Sequence, residues 1–252
     1  MIKKVKVLSA LLSVTIVFMA SPLYAKPNSL CMSAAKEVLD EIGIRARTPR
    51  GDTRHPLTQL SIGICSIKIN PKLHRAVSEL ALRQFLGKNQ RYRYAGTIKG
   101  ANNNAPTLLV FSKIGRVNVH AIPKTKIKTG IGFVAVSNSP NQPPVTVVSS
   151  SAPYHMGMGR SIHKSLESLN KHGPFKVLSI SGHAMAPVLV IRDGKGQKFG
   201  YSHSASKIFS ARQVTNPRTL PVKKWTVGDW KQTIPNRLNW FLMLAKLQQV
   251  NR

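Results

Sequence analysis

The sequence predicts an α+β protein with a helical N-terminal portion, a central antiparallel sheet and a C-terminal helix. Three observations carry this. Before residue 90 the apolar residues recur at helical spacing. Between 95 and 150 short β-rich runs alternate with Gly, Pro and Asn clusters. The tail over 236–250 is apolar around most of a helix.

Residues 1–25 read as an export signal that takes no part in the fold. Lys3, Lys4 and Lys6 form a positive start, 8–20 is uncharged and mostly apolar, Ser21-Pro22 breaks the helix, and Ala25 offers a small residue for cleavage. A membrane span needs ~20 apolar residues. This run is shorter and no other follows, so no transmembrane span is expected after signal removal. Residues 26–252 are then expected as a single α+β domain, periplasmic or secreted, with a β-rich section over 95–150.

Taken in order, 33–42 reads as a helix with Ala34, Ala35, Val38, Leu39 and Ile42 on one side and Gly43 as its stop. A basic loop over 45–56 precedes an apolar stretch over 60–69. After Asn70-Pro71 a second helix carries Leu73, Val77, Leu80, Ala81 and Leu82 to Gly87. The runs 95–98, 107–112, 116–122, 132–136 and 145–149 read as strands of a meander. A helix over 161–171 stops at Gly173-Pro174. Strands over 175–180 and 186–191 flank Ser181-Gly182-His183, and Asp193-Gly194-Lys195-Gly196 turns the chain into a strand over 198–202. The tail helix, apolar nearly all round, belongs in a core.

Charge narrows the partners. The chain has 38 Lys and Arg against 8 Asp and Glu; without the three signal lysines, 35 cations face the same 8 acids, a net of +27. Ordinary solvated faces mix both signs, and self-repulsion of this size opposes a compact state unless salt or a polyanion screens it. A polyanion partner is expected: nucleic acid, anionic lipid, lipopolysaccharide or acidic glycan. Three segments could present the cations. Arg91-Tyr92-Arg93-Tyr94 sets cations beside stacking rings. Lys124, Lys126 and Lys128 share one face if extended. Lys223 and Lys224 precede Trp225.

Motif chemistry is sparse. HExxH, CxxC, GxxxxGK[ST] and GxSxG are absent, and the eight histidines show no tight ligand spacing, so no metal and no cofactor is expected. Cys31 and Cys65 are the only cysteines. An exported pair usually bonds, and closing a loop of this length stabilises by about 3–4 kcal/mol in the chain-entropy model. The competing role rests on position. Cys31 opens a helix, whose positive end favours a thiolate, and His183 at a strand start could serve as its base. One sulfur cannot do both.

Cys31-Met32-Ser33-Ala34 at a helix start and Ser181-Gly182-His183 at a strand start resemble papain-like cysteine peptidases, particularly the double-glycine leader peptidases. The resemblance covers a short segment around Cys31 and a longer one around His183, with no match between them. It implies papain-like topology, a peptide substrate, Cys31 as nucleophile and His183 as base. On the next strand, where the family orients its histidine with an acid or amide, the chain reads Tyr201-Ser202-His203-Ser204, which gives that role to Ser202 and makes His203 a further candidate. The family's oxyanion glutamine is replaced by the stretch Pro27-Asn28-Ser29. The resemblance therefore fits an active Cys/His-dependent hydrolase or a degenerate relative. The alternative is a non-catalytic polyanion-binding protein.

Overall fold

Asn28 caps the first helix of the described residues: its side-chain oxygen accepts from the N–H groups of Leu30 (3.0 Å) and Cys31 (3.2 Å). The computed structural model describes residues 27–42, 56–87, 91–125, 127, 129–215 and 225–250; the expected export signal lies outside them. The first part of the chain is helical: α1 (Ser29–Glu41), α2 (Pro56–Cys65) and α3 (Pro71–Leu86). Four strands follow, β1 (Arg93–Gly100), β2 (Thr107–Ser112), β3 (Ile131–Val136) and β4 (Val145–Ser149). Next come α4 (Tyr154–Gly157) and α5 (Gly159–Ser168), then β5 (Lys176–Ser181), β6 (Val188–Arg192), β7 (Lys198–Ser202) and β8 (Lys207–Ser210). The chain closes on α6 (Ala211–Thr215) and α7 (Val227–Val250). The protein is thus α+β.

Two compact units divide the chain. One takes Met1–Leu73, Pro140–Pro144 and Val222–Arg252; the other takes His74–Ser139 and Val145–Pro221. In the helical unit α1 and α2 pack on each other and on α7. Cys31, Ala34, Ala35 and Leu39 of α1 are buried with Ile64, Ile234, Trp240 and Phe241. Gly63 permits the close approach of α2 to α7, since a Cβ there would stand 2.7 Å from the Phe241 ring. A disulfide joins Cys31 to Cys65. The buried Arg237 guanidinium donates to Asn141 Oδ1 (2.7 Å) and to the carbonyls of Ile64 and Cys65 (3.3 Å each), which satisfies the C-terminal end of α2. Burial holds its pKa down to about 10, still charged at neutral pH.

The second unit is built on one eight-stranded sheet in the order β4-β3-β2-β1-β5-β6-β7-β8. Each run of four strands is an antiparallel meander, and the two runs meet where β1 pairs with β5 in parallel. The sheet expected to be antiparallel throughout is therefore mixed, because the chain leaves β4 through α4 and α5 before returning beside β1. One face of the sheet packs Ile98, Leu108, Phe133, Ile180, Leu189 and Tyr201 against Ile162 and Leu166 of α5.

The strand expected over 116–122 does not form; only Ala121 makes an isolated bridge, to Lys176. Side chains take the backbone groups that a ladder would use. His155 Nε2 donates to the Val119 carbonyl and His163 Nε2 to the Ile122 carbonyl, each at 2.8 Å, while Asn118 folds its own turn. Among the described residues no helix is long and apolar enough to cross a membrane.

Candidate functional site

The cysteine and the histidine of the expected pair fall in different units. Cys31 does lie in the first turn of α1, but its sulfur is bonded to Cys65 and the residue is fully buried. A bonded sulfur carries no thiolate, so a nucleophilic role for Cys31 would require the reduced chain. His183 belongs to the other unit, in the turn between β5 and β6, exposed, with Nδ1 accepting from the Met185 N–H at 3.2 Å. Ser202 is buried at the end of β7 and its hydroxyl pairs with that of Ser204 at 3.2 Å. No hydrogen bond links Ser202 to His183.

The cationic segments fare differently. Lys113 Nζ lies 4.6 Å from the Tyr92 ring centre, and the Arg75 guanidinium lies 4.7 Å from that of Tyr94. Those tyrosines therefore already stack on cations of the same chain. Arg91 and Arg93 are exposed beside them, as is Lys124. Lys126, Lys128, Lys223 and Lys224 lie outside the described residues.

A cationic feature that sequence reading missed appears in the strand register. Lys176 of β5 pairs with Arg192 of β6, and Arg192 pairs with Lys198 of β7. All three are exposed. Each precedes or follows a buried core residue (Val177, Ile191, Phe199), so alternation sends the three cations to the opposite face of the sheet. Neighbouring strands lie ~4.8 Å apart, and like charges directly opposite one another destabilise a sheet. On the same face Val214 of α6 covers Gly200, where a Cβ would stand 2.3 Å from its Cγ2.

Among the described residues no acid pairs with this row. The sheet unit holds 21 Lys and Arg but three acids, Glu79, Glu167 and Asp193. Two of the three have a local partner. Glu79 pairs with Arg75 at 2.9 Å, Glu167 lies 3.9 Å from His163 Nδ1, and Asp193 Oδ1 accepts from the N–H groups of Lys195 and Gln197 in the β6–β7 turn. Among the described residues none of the three row cations makes an ion pair.

On the core side of the same sheet a chain of side chains links β7 to α5. Tyr201 hydroxyl lies 2.9 Å from His203 Nδ1, and Ser161 Oγ lies 3.2 Å from His203 Nε2. Tyr201 is fully buried, while Ser161 is exposed in the first turn of α5. The Tyr154 ring sits 6.2 Å from that of His203. Partial burial, and then its proximity to Tyr201, raise the Tyr154 pKa. Sequence reading reached His203 alone, because Ser161 lies 42 residues away and only the fold joins them. Among the described residues no group of His, Cys, Asp and Glu could hold a metal ion. No family model, curated protein or solved structure matches the chain.

Proposed function

We propose that this protein binds a linear polyanion through the sheet unit, at the cationic face of β5–β7. The observation that carries this is the in-register row of Lys176, Arg192 and Lys198 in a unit with only three acids, none of them paired with the row. Repulsion across the row costs stability in the free protein, and an anionic chain lying across the strands relieves it. Affinity gained this way comes from neutralising repeated charges and releasing counterions, so it falls steeply with salt. Phosphodiester backbones and acidic glycans both supply the needed chemistry. The export signal expected over 1–25 and a disulfide compatible with an extracytoplasmic setting support an encounter in the envelope or outside the cell.

The papain-like reading needs Cys31 as a thiolate. With the sulfur held by Cys65, that reading applies to a reduced chain alone, and no contact of His183 or Ser202 favours it over binding.

The test is titration of the mature protein with single-stranded DNA, heparin and anionic vesicles across a salt series. Replacing Lys176, Arg192 and Lys198 together with Ala should lower the slope of log K against log salt on single-stranded DNA by about 2, since each phosphate contact contributes ~0.7. A control triple at Lys36, Lys68 and Lys246, exposed cations of the helical unit, should leave that slope nearly unchanged. Equal losses from both triples would reduce the proposal to bulk charge. Retention without salt dependence would overturn it.

A further inference from the structure

The hydroxyl–imidazole–phenol chain on the other side of the sheet has the geometry of an activated nucleophile. A general base must lie within about 2.6–3.2 Å of the proton it removes, and a third group must fix its tautomer. Ser161 Oγ stands 3.2 Å from His203 Nε2, and the Tyr201 hydroxyl 2.9 Å from Nδ1. Tyr201 cannot swing away. It is fully buried and held in register between Leu189 of β6 and Ile208 of β8. In the tautomer whose Nδ1–H donates to the phenolic oxygen, Nε2 presents its lone pair to the serine.

The serine is also placed for attack. Its helix, α5, is ten residues long, and the first turn of such a helix favours developing negative charge. Gly159, two residues earlier, lets that helix end approach its neighbour closely: a Cβ there would stand 2.3 Å from the Pro123 carbonyl oxygen. Ser161 itself faces solvent, so a substrate can reach it.

We propose that Ser161 is a nucleophile with His203 as its general base and Tyr201 as a positioning residue, cleaving small anionic carboxylic esters. Ser161 Oγ bonds to the carbonyl carbon while its proton passes to His203 Nε2. The bond from that carbon to the alkoxy oxygen breaks, and the alcohol leaves with the proton. Water, deprotonated by the same nitrogen, attacks the acyl-serine, releases the acid and restores Ser161. Esters are the class because a neutral phenol stabilises the imidazolium less than a carboxylate does, which limits the site to good leaving groups. Anionic substrates are favoured because the exposed cations Arg160 and Lys164 flank Ser161 on α5, Lys164 at the i+3 position that shares its face. This site does not depend on the polyanion face and stands or falls separately.

The experiment treats the mature, disulfide-bonded protein with a fluorophosphonate probe and with the 4-nitrophenyl monoester of succinic acid. One covalent adduct on Ser161 is expected by peptide mass spectrometry, together with burst release of nitrophenol. Ser161→Ala should abolish both without altering DNA binding. His203→Gln, which keeps a donor toward Tyr201, should slow labelling at least 100-fold. Tyr201→Phe should slow it about tenfold while moving the apparent pKa of labelling, a readout that loss of packing alone would not shift. Circular dichroism checks that each variant folds. If folded wild-type protein gains no adduct, or gains it at another serine, the proposal is overturned whatever the variants do. Hydrolysis by Ser161→Ala at the wild-type rate overturns it as well.

Discussion

The two units of this protein solve the problem of a basic chain in opposite ways. In the helical unit two cations are matched by neighbours. Lys231 of α7 pairs with Glu37 and, at 3.5 Å, with Glu41, both of α1, and Arg237 is buried among three oxygen acceptors. Helix ends are tied by side chains and α1 is cross-linked to α2. In the sheet unit the backbone ladders and histidine-to-carbonyl bonds hold the fold, and the cations are left facing outward with almost no acids. The first unit pairs part of its charge internally. The second is stable enough through its core to carry unrelieved charge, which is the condition for binding an anion rather than neutralising itself.

Removing the cross-link should separate the two units most strongly. Closing a 34-residue loop constrains the unfolded chain by about 3–4 kcal/mol in the entropy model. A Cys31→Ala, Cys65→Ala variant should lose stability of that order in the helical unit, seen in denaturant melts followed by the fluorescence of Trp230 and Trp240. Binding of DNA through the sheet unit should persist in that variant. Alkylation of the unreduced wild-type protein should find no free thiol. A reactive Cys31 in that sample would reopen the peptidase reading and break the contrast.

The next effect belongs to the sheet unit. Burial lowers the His155 pKa to about 4, against a raising contribution from its bond to the Val119 carbonyl, with His120 lowering it slightly further. His155 is thus neutral when folded, whereas the unfolded chain takes up a proton near pH 6.5. Stability from this group is complete above 6.5, falls as pH drops from 6.5 to about 4, and levels off below that. The loss amounts to roughly 3 kcal/mol. His74, also lowered by burial, acts in the same direction. In His155→Gln, whose amide can still donate to the Val119 carbonyl, the slope of melting temperature between pH 6.5 and 4 should flatten. An unchanged slope would show that other groups set the acid sensitivity.

How much of this was legible beforehand follows from how local each signal is. The periodic cores of α1, α3 and α7, and the strands β2, β4 and β7, were readable because a single face or a turn signal defines them. Helix α2 was read as an apolar stretch: a short run without polar punctuation does not distinguish helix from strand. Edge strand β8 is four residues long with exposed ends, too short to register. The segment 116–122 looked like a strand because Val117, Val119 and Ile122 alternate, yet distant histidines claim its carbonyls. Sites suffered most. Total charge was plain, but the Lys176–Arg192–Lys198 row exists only in the pairing register, and Ser161 meets His203 only through the fold. Cys31 has two roles open to it in the sequence, and in the structure its sulfur is bonded to Cys65.

The smallest expected effect sharpens the contrast at one helix end. Thr226 caps α7: its N–H (2.9 Å) and hydroxyl (2.8 Å) both donate to Asp229 Oδ2, and its Oγ1 accepts from the Asp229 N–H at 3.2 Å. This reciprocal pair is a capping box. Trp225, just before the cap, meets Trp230 with ring centres 4.8 Å apart, as a hydrophobic staple requires. α7 supplies Ile234, Trp240 and Phe241 to the core of the helical unit, so fraying at its start is transmitted to that unit. Thr226→Ala removes the hydroxyl from both bonds and should cost about 1 kcal/mol. Thr226→Ser, which keeps the oxygen, should cost much less. Both should leave the pH slope set by His155 untouched, because that group lies in the sheet unit. If Thr226→Ala shifts the acid transition as much as the denaturant midpoint, the two units do not respond separately, and the contrast between a helical part with internal ion pairs and a sheet part with an unpaired row of cations fails as an account of stability.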